Sequence, residues 1–260
     1  MRAEDPNYSL RLANGKADLM GAQRLRYNVF VTEMGGDGPL VDHAAQLERD
    51  EFDEVFDHLL LVDPKVDPAT GNHVVGAYRL LTSDRVGAGA FYSETEFDLS
   101  VLRAGGRKLL ELGRSCVHPD HRGGTAMFHL WNGLADYVLE RGVEVLFGVA
   151  SFHGTDTTAH RHALSWLHHH HLAPAPLRVT ARLQGRQPMS MIAPAVLDKV
   201  AAMAATPALI KAYLRLGGFV GDGAWVDGAF NTTDVCLVMD TARMSEKHRA
   251  FYLRKQRRGA

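Results

Sequence analysis

Five consecutive residues, Arg122-Gly123-Gly124-Thr125-Ala126, are of the types that hold an anion. They follow an apolar run over 108–117 that reads as a buried strand, and they precede a helical pattern from Met127 to about Arg141. Pro119 ends the strand, since it brings no N–H to a ladder. A strand, a basic glycine-bearing turn and a helix N-terminus leave backbone N–H groups pointing outward, where a phosphate can approach closely. Glu111 lies on the same strand between Leu110 and Leu112. A carboxylate in such company favours its protonated form unless a partner is supplied.

Charge is unevenly spread. The 260 residues carry 29 Lys and Arg against 30 Asp and Glu, a formal net charge of −1, which excludes the strongly basic face of a general nucleic-acid binder. Acids crowd residues 33–63 against the lone base Arg49. That segment either attracts a cationic substrate or forms a solvated face. Residues 243–258 hold seven bases and one acid and read as a basic amphipathic helix from Met244 to about Arg254. Such a tail either attracts an acidic protein or anionic lipid, or ends the chain as a solvated helix.

His168 to His171 form a run of four histidines. Four consecutive side chains cannot all converge on one ion, and no cysteine or acid stands nearby at zinc-like spacing. The run reads as a helix end with exposed imidazoles, and no metal is expected. Cys116 and Cys236 sit in apolar runs and read as buried thiols rather than a disulfide framework. There is no signal-peptide pattern and no long apolar window. A cytoplasmic protein is expected, peripheral to the inner face of the membrane where the basic tail serves it.

The elements that must position these residues follow from periodicity. Strands are expected near 8–12, 58–63, 73–82, 108–117, 143–150, 178–183, 219–226 and 234–240. Helices are expected over 16–33, 127–141, 155–167, 193–205 and 207–216. The strand, helix and strand around the glycine turn make a βαβ unit, so 108–117 and 143–150 should be parallel neighbours. One mixed α/β domain over 1–260 is expected, with a helical insertion at 168–217 and the tail at 243–260.

The pattern His121-x-x-Gly124-x-Ala126 resembles the acyl-carrier loop of the GNAT acyltransferases, with histidine where glutamine or arginine is usual. Arg26-x-x-x-Phe30, Asp50-x-Phe52-Asp53, Tyr78-Arg79-Leu80 and Glu111-Leu-Gly-Arg114 occur in an order that resembles the acyl-homoserine-lactone synthases, a GNAT branch. Nearly the whole chain resembles the bacterial ornithine N(α)-acyltransferases more closely. The stretches that carry this are 26–36, 111–126, 151–156, 165–174, 209–217 and 230–234. His153 and Ala212 depart from the proline and glycine expected there, which leaves the amino-acid substrate open.

The resemblance implies a GNAT fold and amide formation without metal or bound cofactor. The α-amine of L-ornithine would attack the thioester of a 3-hydroxyacyl chain on acyl carrier protein, giving lyso-ornithine lipid. It places the donor's phosphopantetheine on Val117, His121, Arg122, Gly123, Gly124, Thr125 and Ala126. An attacking amine must lose a proton, which makes Glu111 the candidate base, directly or through water; the alternative is an ion pair with Arg79 or Arg114. Backbone N–H groups near Ser115 to Val117 are candidate oxyanion donors. Asp50, Asp53, Arg79 and Arg114 either orient the amino acid or neutralise one another. Arg26 is either a carboxylate ligand or a helix-face charge. Transfer to another amino acid, a lactone synthase and a non-catalytic carrier- or lipid-binding module are the competing readings. The lactone-synthase resemblance fades after about residue 150.

Overall fold

The computed structural model describes residues 7–243. The chain divides into two compact units. The first takes the described residues up to Leu81 together with Leu112–Gly142; the second takes Thr82–Glu111 and the described residues from Val143 onward. The chain passes from one unit to the other inside the strand Leu109–Val117, between Glu111 and Leu112.

In the first unit, the strand Ser9–Leu12 pairs antiparallel with Asp57–Val62, which pairs antiparallel with Val74–Thr82. Every residue of Val74–Thr82 is buried, as expected of an apolar strand covered on both faces. The helix Lys16–Arg26 carries Asp18 in its first turn and Arg24 and Arg26 in its last, each sign at the end its dipole favours. Its Ala22 and Leu25, with Val29 beyond it, pack onto Leu60, Val62, Val74, Ala77 and Cys116.

The single helix expected over 16–33 changes form halfway. Tyr27–Glu33 is π-helical, and the Met34 amide reaches back to the Val29 carbonyl at 3.2 Å. That shift in hydrogen bonding leaves the side-chain periodicity nearly intact, so a pattern of apolar residues cannot reveal it. The acidic segment that follows is irregular, as expected. It closes on itself through paired backbone bonds between Asp42 and Leu47, and the Glu48 amide donates to the Gln23 carbonyl at 3.1 Å. The helix Ala126–Arg141 ends at Gly142, whose left-handed backbone stops it.

In the second unit, Leu109, Leu110 and Glu111 pair in parallel with Val145, Leu146 and Phe147. The parallel pairing expected around the glycine turn is therefore present. The strand Val145–His153 is flanked antiparallel by Thr232–Asp240 over its whole length. Ala224–Asp227 and then Arg186–Gln187 continue outward.

The helix expected over 155–167 instead runs Arg161–His171 and takes the four histidines into its last turn. Asp156 holds the preceding turn, accepting from the Thr158 amide at 2.9 Å. The imidazoles are not uniformly exposed: His169 Nε2 lies 2.9 Å from the Ile192 carbonyl and the His170 ring sits 3.8 Å from that of Trp166. The stretch expected to be a helical insertion is mixed. It contains the short strands Thr180–Ala181 and Arg186–Gln187 and the helices Lys199–Ala205 and Ala208–Arg215. The basic tail from Met244 onward lies outside the described residues.

Candidate active site

Three arginines and three acids meet inside the first unit. The Arg26 side chain comes from the last turn of its helix and is 0% exposed. Its Nη1 and Nη2 take both oxygens of Asp53 at 2.7 Å each, and Nε meets Glu48 at 2.5 Å. Arg79, from the middle of Val74–Thr82, reaches Asp50 at 2.6 Å and Asp53 at 3.1 Å, and its guanidinium lies over the Phe56 ring. Arg114 reaches Glu48 at 3.1 Å and Asp50 at 3.3 Å. Sequence reasoning brought Asp50, Asp53, Arg79 and Arg114 to one cluster and left Arg26 between a carboxylate ligand and a helix-face charge; the structure buries Arg26 in the same cluster, together with Glu48, which sequence reasoning missed and which bridges Arg26 to Arg114. Its signal was its place beside Asp50 and Asp53 in the acid-rich segment.

Burial alone would push the three carboxylates up, but the arginines outweigh it. Arg114, Arg26 and Arg79 hold Glu48 below the ordinary carboxylate range. Arg79 does the same for Asp50, and the bond from Arg26 for Asp53. Such groups are charged at neutral pH and mutually neutralised. Asp50 and Arg114 keep 17% and 13% of their side chains exposed, while Arg26 keeps 1% and Glu48 0%. The edge formed by Asp50 and Arg114 is therefore the part a ligand can reach.

Arg114 also carries the backbone irregularity of the central strand. Its φ is +47°, a left-handed value that a side chain with a Cβ rarely adopts. Strain of this kind persists only where the surroundings hold it. The Ser115 hydroxyl is buried and has no hydrogen-bond partner among the described residues. The Cys116 thiol is pushed up to about 12 by burial, and Cys236 is raised for the same reason. Neither is a nucleophile at neutral pH.

The glycine turn lies between the strand Leu109–Val117 and the helix Ala126–Arg141, as the sequence placed it. Gly123 has φ +77°, which suits glycine, and at Gly124 no atom lies within 4 Å of where a Cβ would stand. Thr125 and Ala126 open the helix Ala126–Arg141, whose first N–H groups have no partner within the helix. The side chains differ from expectation. Arg122 is engaged twice over by Glu33, at 2.6 and 2.7 Å, and its Nε donates to the Val117 carbonyl at 2.9 Å. His121 Nδ1 lies 2.8 Å from the Tyr8 hydroxyl. In this arrangement the turn offers an anion its peptide N–H groups first, and the Arg122 guanidinium only if Glu33 yields it.

Glu111 belongs to the second unit, where it is 1% exposed. The peptide N–H of Tyr92 donates to its Oε2 at 2.9 Å and that of Ser93 to its Oε1 at 2.6 Å. Both donors come from the 3₁₀ turn Tyr92–Thr95. Elsewhere in this unit, carboxylate oxygens of Glu96, Asp227 and Asp234 lie within 4.8 Å of one another. Asp227 and Asp234 stand on the paired strands Ala224–Asp227 and Thr232–Asp240, while Glu96 comes from far earlier in the sequence, so no single motif announces all three. Asp227 accepts from the Ala229 and Phe230 amides, and Asp234 from the Thr232 hydroxyl.

Comparison with known proteins adds the family. Residues 25–132 match the acetyltransferase (GNAT) domain model. The chain is 60% identical to an L-ornithine N(alpha)-acyltransferase of Rhodobacter capsulatus, over 98% of each chain. It is 39% identical to one of Rhizobium meliloti, over 95% of this chain and 84% of the relative. Among solved structures, an N-acyl amino acid synthase from uncultured soil microbes superposes with a TM-score of 0.54 at 12% identity, covering 92% of this chain and 96% of the other. A CoA-dependent acyl-homoserine lactone synthase gives 0.51 at 15% identity, covering 95% and 89%. These two show the fold: GNAT, of the mixed α/β class.

Proposed function

Because the chain belongs to the L-ornithine N(alpha)-acyltransferase family, we propose that it transfers a 3-hydroxyacyl group from acyl carrier protein to the α-amine of L-ornithine, forming lyso-ornithine lipid. The observation that carries this reading is the 60% identity along both full chains. In the reaction, the amine nitrogen attacks the thioester carbonyl carbon. The C–N bond forms, the C–S bond breaks, and one proton passes from nitrogen to the leaving sulfur. Glu111 is assigned as the carrier of that proton. It has the chemistry of a base, and two peptide N–H groups fix its orientation.

The remaining roles follow from the geometry of each group. The Ser115 hydroxyl, with the N–H groups near it and Val117, is assigned to the oxyanion of the tetrahedral intermediate, since a buried hydroxyl without a partner has a free donor to give. Residues 121–126 are assigned to the phosphopantetheine phosphate. The reachable edge at Asp50 and Arg114 offers a carboxylate to the δ-ammonium of ornithine and a guanidinium to its α-carboxylate. Arg26, Asp53 and Arg79 are the buried frame behind it. No bound cofactor is required by these steps.

No helix of the described residues is long and apolar enough to cross a membrane. The donor and the amphiphilic product put the reaction in the cytoplasm beside the inner leaflet, and the basic residues of 243–258 suit either acyl carrier protein or anionic lipid. Truncation after Asp240, read by liposome co-sedimentation and carrier titration, tests that assignment: both affinities unchanged would reject it.

The reaction itself is tested with purified protein, 3-hydroxyacyl carrier protein or the corresponding acyl-CoA, and ornithine, lysine or homoserine as acceptor. Thiol release and mass spectrometry of the product are followed together. The reading expects one N(α)-acylornithine per thiol, fastest with ornithine and the carrier-bound donor. Thiol release independent of ornithine, or faster acylation of another amino acid, contradicts it.

A further inference from the structure

Residues 191–205 break the usual rule for a surface segment. They read Met-Ile-Ala-Pro-Ala-Val-Leu-Asp-Lys-Val-Ala-Ala-Met-Ala-Ala, with charge only at Asp198 and Lys199. An exposed helix normally turns polar residues outward. Here Val196 and Val200 are 73% and 79% exposed, and among the described residues only Leu183 is a large apolar side chain with more of its surface in solvent. Ala193, Pro194 and Ala195 are exposed as well.

Local structure turns these positions outward. Asp198 caps the helix Lys199–Ala205, accepting from the Val200 amide at 2.9 Å and the Ala201 amide at 3.0 Å. Its charge is thus spent on the helix's own N–H groups. Ala202 is fully buried, and its carbonyl accepts from the Thr206 hydroxyl at 2.8 Å. Residues two apart lie on opposite sides of a helix, so burying Ala202 turns Val200 and Ala204 to solvent together.

Bases stand at both ends of this apolar face. Lys199 Nζ lies 5.3 Å from the centre of the Trp166 ring, which in turn lies 3.8 Å from that of His170. Lys211 Nζ donates to the Met203 carbonyl at 3.1 Å, near the helix's other end. Between Asp156 and Asp222 the sequence holds seven Lys and Arg against Asp198 as the single acid. Apolar tips in solvent, a tryptophan and lysines beside them suit an anionic lipid surface. The methyl groups enter among the headgroups, and the ammonium groups meet the phosphates. Protein interfaces instead centre on aromatic, methionine and arginine side chains, whereas the exposed apolar positions here are valine, alanine and proline. We propose that residues 193–204 form a docking surface for an anionic lipid bilayer, with Val196 and Val200 entering the headgroup layer and Lys199 and Lys211 lying against its phosphates. This contact is separate from the basic tail, and it deepens the reading that the reaction takes place beside the inner leaflet.

The test is co-sedimentation of the full chain with vesicles of phosphatidylglycerol and phosphatidylcholine in equal parts, and with phosphatidylcholine alone, at low and high salt. Wild type is expected to favour the anionic vesicles. Val196→Ser with Val200→Ser should weaken that binding roughly tenfold at either salt concentration. Val196→Ala with Val200→Ala, which favours the helix, should act in the same direction. Lys199→Gln should weaken binding roughly fivefold at low salt and little at high salt. Urea midpoints and turnover with soluble substrates should match wild type, since all three side chains are exposed and none belongs to the assigned site. The proposal is overturned if the serine pair binds anionic vesicles like wild type; a contact through the tail would then stand without this face. It is also overturned if the serine pair loses affinity for acyl carrier protein and none for vesicles, because the face would then serve a protein. Equal binding of wild type to both vesicles would remove the anionic surface and the proposal with it. Wild type that binds neither vesicle would remove this surface and the leaflet reading together.

Discussion

Two buried acidic groups in this protein are stabilised by opposite means. In the first unit, Glu48, Asp50 and Asp53 are met by the formal charges of Arg26, Arg79 and Arg114. In the second, Glu111 is met by the peptide dipoles of Tyr92 and Ser93. Six side chains that neutralise one another leave little that can change protonation near neutral pH. A carboxylate held by two amides keeps its orientation without a formal charge bonded to it in those two contacts. The first arrangement suits a frame and the second suits a base, which separates the two by what each substitution should damage.

The largest effect is expected at Glu111. Glu111→Gln should lower kcat by about 10²–10⁴-fold, the usual value of a positioned base, with the protein still folded, since the amide oxygen keeps one of the two peptide N–H bonds and only the other is lost. Rapid-quench kinetics beside circular dichroism would check both halves.

Next in size comes the frame. Asp53→Asn should destabilise the fold by about 3–5 kcal/mol, since it takes a buried carboxylate from Arg26, leaving it Glu48 alone, and removes one from Arg79 as well. The same group predicts a pH dependence. Glu48, Asp50 and Asp53 all bind protons more weakly in the folded than in the unfolded chain. Their contribution is therefore complete above the ordinary carboxylate range, near about pH 4, and is lost as pH falls below it. Urea midpoints between neutrality and acid should decline over that window, and Asp53→Asn should flatten the decline.

A smaller effect is expected at the reachable edge. Asp50→Asn should raise the KM for ornithine roughly tenfold and leave that for the acyl donor nearly unchanged, the size of one charge-assisted hydrogen bond. A variant with only a lowered melting temperature would move Asp50 into the frame. The smallest concerns the anion turn. Glu33→Gln should free Arg122 and lower the donor's KM by a few-fold, because an exposed ion pair is worth less than about 1 kcal/mol. Arg122→Ala should raise the donor's KM more than ornithine's, and by only a few-fold, since Glu33 already occupies the guanidinium. Equal effects on both substrates would remove Arg122 from the donor's site.

The strand, glycine turn and helix were legible in the sequence because apolar periodicity, Pro119 and Gly123 each act locally. Four members of the charged cluster, Asp50, Asp53, Arg79 and Arg114, were legible because they stand in a recognisable order, while Arg26 read equally as a charge on its helix's face. The cluster's third acid was not legible, because Glu48 looks like any residue of an acid-rich surface until the fold buries it. The π-helical turn at Tyr27–Glu33 and the left-handed Arg114 were hidden for a different reason. Both are properties of backbone hydrogen bonding and dihedral angle, and neither alters the residue pattern enough to be read. The partners of Glu111 were invisible in principle, since a peptide N–H belongs to every residue but proline. The bonds from Tyr92 and Ser93 come from backbone, which no side-chain pattern can announce.

The separation of base from frame is tested most directly by measuring kcat and the urea midpoint of Glu111→Gln and Asp53→Asn side by side, with ornithine and 3-hydroxyacyl carrier protein. The account predicts that Glu111→Gln loses turnover by at least about 10²-fold with the smaller loss of stability, and that Asp53→Asn loses several kcal/mol of stability while its folded fraction keeps most of its kcat. Near-normal turnover in Glu111→Gln, or a dead but fully stable Asp53→Asn, would contradict it.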